Sequence, residues 1–449
     1  MTEREFAIDV VKRLHEAGHQ ALWAGGCVRD ELLGLVPKDY DVATDAKPEQ
    51  VRKLFRRTIA VGASFGVVEV LGPKVDGTFL KVQVATFRTD GAYSDGRRPD
   101  EVVYSTAEED AQRRDFTVNG MFFDPLAGTL VDYVGGQADL HARVLRAIGD
   151  PALRFEEDKL RLLRAVRMAT RFELALDPAT EDAIRRMAPQ IHVVSAERIA
   201  EELRQLLVHP RRVRGLNLLR DLGLADAILP EIVTMRGLPQ GLPNSPTGDL
   251  WDHVMAVLDF IGPSPSFPLA MATLLHDVGK PRTVGRTAER YTFYHHEHVG
   301  SRIAAHIAER LRLSNVESDR IVWLVEKHQY LADAALMRTA KLKMMLAHPG
   351  IRELLALHRA DALASGHSVA HVDYCERLLE EWTEADLNPE LFLNGHDLMR
   401  RGIPRGPLYK KLLDGLREAQ LEGTVKNGGQ AWELVERLLN EQSPPVQQE

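Results

Sequence analysis

Cysteine is scarce in this sequence, which has only Cys27 and Cys375 among 449 residues. Two thiols so far apart exclude a disulfide-rich scaffold. Long apolar runs are also missing, since no stretch approaches the roughly 20 apolar residues of a membrane-spanning helix. The first residues, MTEREFAIDVVKRLHEAG, follow an amphipathic helix pattern and lack the apolar core of a signal peptide. We therefore expect a cytoplasmic protein with no membrane partner.

An overall positive charge is missing as well, because the formal net charge is −8. Charge is local, however, and residues 141–214 hold 15 Lys+Arg against 11 Asp+Glu, a net of +4. Most of these cations are arginines, whose planar fork suits phosphate and base edges. Charge alone leaves two interpretations open, a phosphate-binding surface and an ordinary solvated helical surface.

The pattern of apolar residues changes along the chain. Short β-rich runs bounded by glycine, proline or charge occur in the first 140 residues, namely LWAGG, YDVAT, GVVEVLG, FLKVQVATF and MFFDP. From residue 151 onward the helical period dominates, as in LRLLRAVRMATRF and AERIAEELRQLL. The segment MRGLPQGLPNSPTGDLW is the best linker candidate. The sequence thus predicts a small α+β head, a long helical remainder and a break near residue 240.

Two aspartates, Asp39 and Asp41, lie one residue apart in KDYDVATD, shortly after the pair Gly25 and Gly26. On a strand they would point to one face and offer two hard oxygen ligands suited to Mg²⁺. Phosphoryl transfer from a nucleoside triphosphate uses such ions to neutralise charge. Glycines let backbone N–H groups approach a phosphate, and Arg29 lies one turn into the expected helix. Each motif alone is common in turns, but together they indicate a nucleotide site.

These stretches resemble the signature of class II tRNA nucleotidyltransferases and bacterial poly(A) polymerases, in the polymerase β superfamily. Further motifs of the family follow in its order, namely RRDFTVNGM (113–121), LVDYVGG (130–136), EEDKLRLLRAVR (156–167) and AERIAEEL (196–203). The resemblance implies a polymerase β-like head with a mixed sheet plus helices, followed by an all-α neck, body and HD domain. The implied boundaries are 1–140 for the head, 141–240 for the helical RNA- and nucleotide-binding neck, 245–370 for the HD domain and 371–449 for a helical C-terminal region with a disordered tail.

By this resemblance Asp39 and Asp41 are the catalytic metal ligands. The implied nucleotide-binding residues are Gly25, Gly26, Arg29, Arg114, Asp115, Asn119, Asp158, Arg161, Arg164 and Arg167. Asp158 and Arg161 are spaced to share a helix face. An Asp accepts from an exocyclic amine and an Arg donates to a ring nitrogen or carbonyl. The pair could therefore read the Watson–Crick edges of CTP and ATP and reject UTP and GTP.

Two features depart from the family pattern or vary within it. Many relatives carry a further carboxylate in the strand before TFR, where this chain has Gln83. Glu69, in the neighbouring predicted strand, could replace it. The segment RTDGAYSDGRRPDEV resembles the family's flexible loop, in which Arg97 and Arg98 could move when the pocket changes from C to A. An ordinary surface loop is the alternative.

A second set of candidate metal ligands lies in the C-terminal half. Imidazoles and carboxylates recur in the order of an HD domain, a helical metal-dependent phosphohydrolase fold, at His253, His276, Asp277, His296, His328 and Asp361. Such donors suit Mn²⁺, Fe, Ni²⁺ or Zn²⁺, and an ion held by them can activate water against a phosphoester. His253, His276, Asp277 and Asp361 form the first set, while His296 and His328 could hold a second ion or contact phosphate. Lys280 could neutralise substrate charge.

The resemblance therefore predicts a tRNA nucleotidyltransferase that adds CCA from CTP and ATP, with Mg²⁺ in the head. It also implies a 2′,3′-cyclic phosphodiesterase or phosphatase in the HD domain, unless that domain serves packing and tRNA contact alone. Poly(A) polymerase, CC-only addition and A-only addition are alternatives. A phosphohydrolase with a nucleotide-binding head and a non-catalytic RNA-binding protein are alternatives of other classes. The sequence does not determine the oligomeric state.

Overall fold

The computed structural model describes residues 1–59, 66–90, 102–242, 245–287 and 290–441. Within these ranges the chain forms two compact units, Met1–Val233 and Thr234–Glu449. The predicted loop residues Arg97 and Arg98, and the tail from residue 442, lie outside the described residues. In the described ranges, no helix has the length and apolar character needed to cross a bilayer. Both cysteines are buried and free.

The first unit begins with alternating helices and strands. Its elements up to residue 145 are α1 (Glu3–Glu16), β1 (Ala21–Ala24), α2 (Gly26–Leu32), β2 (Asp41–Thr44), α3 (Pro48–Leu54), β3 (Thr58–Ile59), β4 (Val67–Val75), β5 (Thr78–Thr86), β6 (Arg88–Asp90), β7 (Val102–Tyr104), α4 (Ala107–Gln112), β8 (Phe122–Asp124), β9 (Thr129–Val131), α5 (Gly136–His141) and β10 (Val144–Leu145). The predicted β-rich runs all coincide with strands of this list.

A seven-stranded mixed sheet organises these elements in the order β3-β4-β5-β2-β1-β8-β9. β2 and β5 run parallel, and the other neighbouring strands run antiparallel. Trp23 of β1 lies opposite Val42 of β2, and Ala24 lies opposite Phe122 of β8. The end of β1 therefore meets the start of β2 and the start of β8 at one edge of the sheet. That edge carries the glycine turn and Asp41.

The rest of the first unit is almost entirely helical. It contains α6 (Pro151–Glu157), α7 (Leu160–Arg171), β11 (Ala175–Leu176), α8 (Pro178–Met187), α9 (Ala196–Leu207), α10 (Arg212–Asp221), α11 (Leu224–Ile228) and α12 (Pro230–Val233). α7 packs against α9 and α10. Its buried face includes Leu162, Leu163 and Val166, as the apolar period of this segment predicted.

One local prediction in this region is wrong. Asp158 and Arg161 do not share a helix face, because α6 ends at Glu157 and Asp158 is extended, with φ −149° and ψ 104°. The Asp158 Oδ1 accepts a hydrogen bond from the Leu160 N–H at 3.0 Å. Such a hydrogen bond from an acidic side chain to the backbone two residues ahead competes with continuation of the previous helix.

The second unit is mainly helical and contains two short hairpins. Its elements are β12 (Pro239–Leu242), β13 (Ser245–Asp249), α13 (Leu250–Phe260), α14 (Phe267–Leu275), α15 (Lys280–Thr283), β14 (Gly285–Arg286), β15 (Tyr291–Thr292), α16 (His296–Arg310), α17 (Asn315–Lys327), α18 (Thr339–Leu346), α19 (Ile351–Ala364), α20 (Ala370–Glu381), α21 (Glu384–Leu387), α22 (Gly395–Arg400), α23 (Pro407–Leu421) and α24 (Gly428–Asn440). The linker candidate forms the β12–β13 hairpin. The predicted fold class is confirmed, with a mixed sheet in the head and a helical remainder, whereas the finer domain boundaries stay predictions.

Candidate active site

A cavity of about 460 Å³ opens in the first unit at the sheet edge that carries Asp41. Its walls are formed by Gly25, Gly26, Arg29, Asp41, Arg113, Arg114, Asp115, Asn119, Asp158, Arg161, Arg164, Arg167, Met168 and Arg171. All ten residues that the resemblance assigned to nucleotide binding are in this set. One cavity therefore brings together three motifs that are far apart along the chain, namely the glycine turn, RRDFTVNGM and EEDKLRLLRAVR.

The glycine turn requires glycine at its first position. Gly25 has φ +71°, a backbone conformation that residues with a Cβ seldom adopt. A Cβ there would also lie 2.9 Å from Nη1 of Arg114. The Gly25 N–H donates to the carbonyl of Met121 at 3.2 Å, which joins the turn to the segment before β8. α2 then begins at Gly26, as expected.

Asp41 is the first residue of β2, whereas Asp39 precedes the strand. The prediction that both aspartates lie on one strand and point to the same face is therefore wrong for Asp39, because the ladder of β2 starts at Asp41. The two carboxylates still interact. Partial burial raises the pKa of Asp41, Arg114 acts against this rise, and the negative charge of Asp39 adds to it. A cation placed beside them would relieve this repulsion.

Glu69, the candidate for a third metal-binding carboxylate, does not lie next to Asp41. Gln83 is directly opposite Asp41 in the parallel β2–β5 pair, and Glu69 is opposite Gln83 in the β4–β5 pair. Neighbouring strands are about 4.8 Å apart, so Glu69 is displaced from Asp41 by roughly twice that spacing. Its carboxylate lies 3.5 Å from Nζ of Lys81. Among the residues that the structure describes, the geometry therefore favours a metal site formed by Asp39 and Asp41 without Glu69.

Asp110 is a charged residue of this site that the sequence reasoning missed. Its side chain is buried and binds two arginines of the cavity wall, with Oδ1 at 2.6 Å from Arg113 Nη2 and Oδ2 at 2.9 Å from Arg114 Nη2. Burial alone would raise the pKa of Asp110, but Arg114 and Arg113 outweigh it and hold the pKa below its ordinary value. The ionised carboxylate therefore orients both guanidinium groups. Its position just ahead of RRDFTVNGM was the available signal.

A second network joins the head to α7. Asp115 accepts from the Asn119 side chain at 3.1 Å and from the Phe116 N–H at 2.8 Å, and its other oxygen lies 2.8 Å from Arg164 Nη2. Asn119 in turn accepts a hydrogen bond from Arg29. Burial would raise the pKa of Asp115, but Arg164 and Asn119 reverse the effect and lower it. These pairs fix the directions in which the arginines face the cavity.

The segment between α6 and α7 is held by partners that the sequence reasoning did not name. The Oδ2 of Asp158 accepts from Arg198 of α9 at 2.7 Å. Arg161 donates to Glu157 and to the carbonyl of Arg154. Asp158 and Arg161 thus both line the cavity although they belong to different structural segments.

The α9 motif AERIAEEL supplies a second anchor besides Arg198. Glu202 lies 2.6 Å from Arg167 Nε in a largely buried pair. Removal of one partner of a buried ion pair typically costs about 3–5 kcal/mol. The Arg167–Glu202 pair therefore fixes α9 against α7, next to the cavity wall.

We expect the substitution Asp110→Asn to raise the KM for nucleotide roughly tenfold while changing kcat much less. The neutral amide would hold Arg113 and Arg114 less firmly, and charge-assisted hydrogen bonds contribute about 1.5–3 kcal/mol each. Steady-state kinetics with varied nucleotide would measure the change. Asp139→Asn is a matched control, since that carboxylate pairs with Arg146 away from the cavity. Equal effects of the two substitutions would show that Asp110 contributes only to stability.

The second unit contains a buried cluster of imidazoles around Asp277. The apolar helix α14 ends immediately before His276, and both His276 and Asp277 are almost fully buried. Asp277 Oδ2 lies 3.2 Å from His276 Nε2 and 3.6 Å from His253 Nε2. Asp277 Oδ1 lies 3.1 Å from His296 Nε2 and 3.7 Å from His328 Nε2. One carboxylate therefore bridges two groups of donors.

Asp361 extends the first of these groups. Its Oδ1 lies 3.2 Å from His253 Nε2, so all six predicted ligands of the second unit come together. Lys280 is also at the cluster, with Nζ 2.6 Å from Asp277 Oδ2. Burial would raise the pKa of Asp277, but His276 and Lys280 outweigh it and hold the pKa well below its ordinary value.

Hydrogen bonds determine which nitrogen of three histidines faces the cluster. The Nδ1 atoms of His276, His296 and His328 lie 2.8, 2.8 and 2.7 Å from the carbonyls of Thr273, Phe293 and Val325. A carbonyl only accepts, so each Nδ1 carries a proton, and in its neutral form each ring would direct the Nε2 lone pair inward. Lone pairs that converge on a carboxylate repel it unless a cation lies between them. These donors therefore fit one or two divalent ions.

Sequence profiles of known families match three regions of the chain. The Poly A polymerase head domain matches residues 21–146, a profile described as "Probable RNA and SrmB- binding site of polymerase A" matches residues 173–235, and the HD domain matches residues 251–378. The CCA-adding enzyme of Lactobacillus johnsonii is 30% identical over 430 residues, which covers 94% of each chain. The chain belongs to the family of CCA-adding enzymes and bacterial poly(A) polymerases.

Members of this family resemble the chain to different extents. Poly(A) polymerase I of Haemophilus influenzae is 38% identical over 240 residues, covering 50% of this chain and 51% of the relative. The solved structure of the Bacillus stearothermophilus CCA-adding enzyme in complex with CTP superposes on this chain with a TM-score of 0.73 and 27% identity. The alignment covers 98% of this chain and 99% of the chain in that structure. The protein is thus a nucleotidyltransferase with an RNA-binding region and an HD domain. Nucleotidyltransferases and HD domains typically use divalent metal ions, which agrees with the donor sets of both units.

Proposed function

We propose that this nucleotidyltransferase adds CCA to the 3′ end of tRNA, using CTP and ATP without a nucleic-acid template and releasing pyrophosphate. The observation that carries the proposal is the single cavity lined by Asp41, the glycine turn, Arg114 and Asp158. Groups able to hold a metal ion, a triphosphate and a base edge face one space, whose volume suits a small ligand. We place this activity in the cytoplasm.

In this proposal the head residues position the reacting groups. Asp39 and Asp41 would hold Mg²⁺, and this ion would neutralise the charge that develops on the phosphate oxygens. Backbone N–H groups at Gly25 and Gly26 and the guanidinium of Arg114 would bind the triphosphate. Because Asp110 already orients Arg114, little side-chain reorganisation is needed on binding. The terminal 3′-hydroxyl then forms a bond to the α-phosphate as the bond to pyrophosphate breaks.

Base selection would depend on Asp158 and Arg161. Asp158 can accept from the exocyclic amine of cytosine or adenine, and Arg161 can donate to the adjacent acceptor. UTP and GTP would present a carbonyl to Asp158 and leave buried acceptors unpaired, which costs about 1–3 kcal/mol per group. Arg198 and Glu157 hold the two side chains, so the pattern of donors and acceptors is set before the nucleotide binds.

The substitution Arg161→Ala is expected to lower discrimination against UTP by tenfold or more, because a hydrogen bond from a charged donor contributes about 1.5–3 kcal/mol. The ratio of kcat/KM for CTP to that for UTP measures the change. Arg186→Ala is the control, since that exposed arginine pairs with Asp182 on α8 away from the cavity. An unchanged CTP/UTP ratio in Arg161→Ala would refute the role of Arg161 in base choice.

Likeness over nearly the full length supports CCA addition over poly(A) synthesis. The CCA-adding enzyme of Lactobacillus johnsonii aligns with 94% of this chain, and the structure of the Bacillus stearothermophilus CCA-adding enzyme aligns with 98%. Incubation with tRNA transcripts that end at the discriminator base, at C and at CC, with each nucleotide separately, tests the proposal. Addition of C, C and then A, followed by arrest, is the expected result. Long A tracts, or addition of only CC or only A, would establish one of the alternatives instead.

The buried cluster of the second unit supports a further activity, hydrolysis of phosphoesters. The inward lone pairs of His276, His296 and His328 would hold divalent ions, which supply activation of water against phosphorus. A cavity of about 680 Å³ adjoins the cluster and is lined by His253, Lys280 and Asp361, among others. Lys280 would bind the charged phosphate there. A 2′,3′-cyclic phosphate at an RNA end is the substrate that we propose, and an HD domain that serves only tRNA contact is the alternative.

A further inference from the structure

Next to the buried cluster, the start of α16 exposes a second group of metal-binding side chains. His295 and His298 are 79% and 56% exposed, and Glu297 lies between them at 23%. His295 Nδ1 is 3.9 Å and His298 Nε2 is 3.7 Å from the same Glu297 oxygen, Oε1. One donor atom from each of the three residues lies within 4.8 Å of the other two.

We propose that His295, Glu297 and His298 form a surface site for one divalent transition-metal ion, separate from the buried cluster around Asp277. Bonds of about 2.0–2.1 Å in a tetrahedral arrangement place donor atoms about 3.3–3.4 Å apart. The separations of 3.9 and 3.7 Å from Glu297 Oε1 are slightly longer, so the proposal requires the exposed imidazoles to rotate toward the ion. Two imidazoles and one carboxylate then leave a coordination position for water.

A neighbouring carboxylate supports this assignment. Glu326 Oε1 lies 4.0 Å from Nδ1 of His298, the nitrogen on the opposite side of the ring from Glu297. The same Glu326 oxygen accepts a hydrogen bond from Lys327 at 2.9 Å, which holds this carboxylate beside the imidazole. The positive end of α16 opposes cation binding. Glu297 places a negative charge directly beside the ion, which acts against that effect.

The surface site and the buried cluster are adjacent but use different donors. Glu297 Oε2 lies 3.7 Å from His296 Nδ1, and His296 Nδ1 is directed to the carbonyl of Phe293. His296 therefore presents only Nε2 to a metal, and Nε2 faces Asp277. His295 and His298 do not belong to the donor groups around Asp277. Each set can therefore be removed by substitution without deleting a donor of the other.

Metal stoichiometry tests the proposal on the full chain. Protein stripped of metal is dialysed against buffered Co²⁺, and bound cobalt is measured by mass spectrometry and by visible absorption. The variant with both His295→Ala and His298→Ala is expected to bind one ion fewer per chain than the unsubstituted protein. His396→Ala removes another exposed histidine and is expected to bind as much cobalt as the unsubstituted protein.

Two further variants separate the surface site from the buried cluster. Asp277→Asn is expected to lose cobalt from the buried cluster while retaining the ion that the double histidine variant loses. Glu297→Gln is expected to raise the Kd of the surface ion at least about tenfold, because it replaces an anionic ligand by a neutral one. A double histidine variant that binds the same number of ions as the His396→Ala control would overturn the proposal. Circular dichroism establishes that each variant is folded.

Discussion

Replacing Asp41 with asparagine is expected to lower kcat/KM for nucleotide addition by about a thousandfold or more. A metal ligand at a phosphoryl-transfer centre contributes several kcal/mol of charge stabilisation, and about 4 kcal/mol corresponds to a factor near 10³ in rate. Asparagine keeps the shape of the side chain but removes the charge that an ion would share with Asp39. Incorporation of labelled CMP into tRNA that lacks CCA measures the loss.

Glu69→Gln is the matched control for Asp41→Asn. Gln83 lies between Asp41 and Glu69 in the sheet, and the Glu69 carboxylate pairs with Lys81. Loss of the Glu69 charge is therefore expected to change addition less than about threefold, since it lies roughly two strand spacings from Asp41. A loss from Glu69→Gln as large as that from Asp41→Asn would instead identify Glu69 as a third metal ligand. Addition at the unsubstituted rate by Asp41→Asn would contradict the metal-binding role of Asp41.

Asp277→Asn is expected to lower the rate of 2′,3′-cyclic phosphate hydrolysis about a thousandfold. The reason is the one given for Asp41, because a metal ligand contributes several kcal/mol of charge stabilisation. Asp277 bridges both groups of imidazoles, so its substitution impairs both potential metal positions. Nucleotide addition by this variant is expected to stay near that of the unsubstituted protein, because Asp41 and Asp277 belong to different compact units.

The control for Asp277→Asn is Asp259→Asn, an exposed residue on α13, the helix that also carries His253. It is expected to retain both activities. Conversion of a 2′,3′-cyclic phosphate at an RNA end to a 2′- or 3′-monophosphate, with Ni²⁺ or Mn²⁺ supplied, is the measurement. If unsubstituted protein shows no hydrolysis with any of these ions, the HD domain has no such activity and its contact role becomes the better explanation.

Much of this architecture could be predicted from local patterns. The motif AERIAEELRQLL coincides with α9 from its first residue to its last, because apolar residues at three- and four-residue spacings require a helix to bury them on one face. The β-rich runs coincide with strands for the corresponding reason. The order of histidines and aspartates also identified the six donors that converge in the second unit, since that order resembles a known helical framework.

Local patterns failed at the ends of two elements. The spacing of Asp158 and Arg161 is compatible with one helix, yet the hydrogen bond from the Leu160 N–H to Asp158 starts a new helix. Asp39 lies just outside the ladder of β2, a boundary that alternation of residues does not reveal. In both cases the element was foreseen correctly and the end of the element was not.

The sequence by itself determined the classes of the elements, the family and the candidate residues of the two sites, because these depend on residue type and on spacing along the chain. Only the tertiary structure decided which charges meet. Asp110 orients Arg113 and Arg114, and Arg198 holds Asp158. Likewise, backbone carbonyls select the nitrogen that three histidines present to Asp277. Electrostatic and hydrogen-bond partners are selected by distance in space, which the packing of separate helices and strands creates.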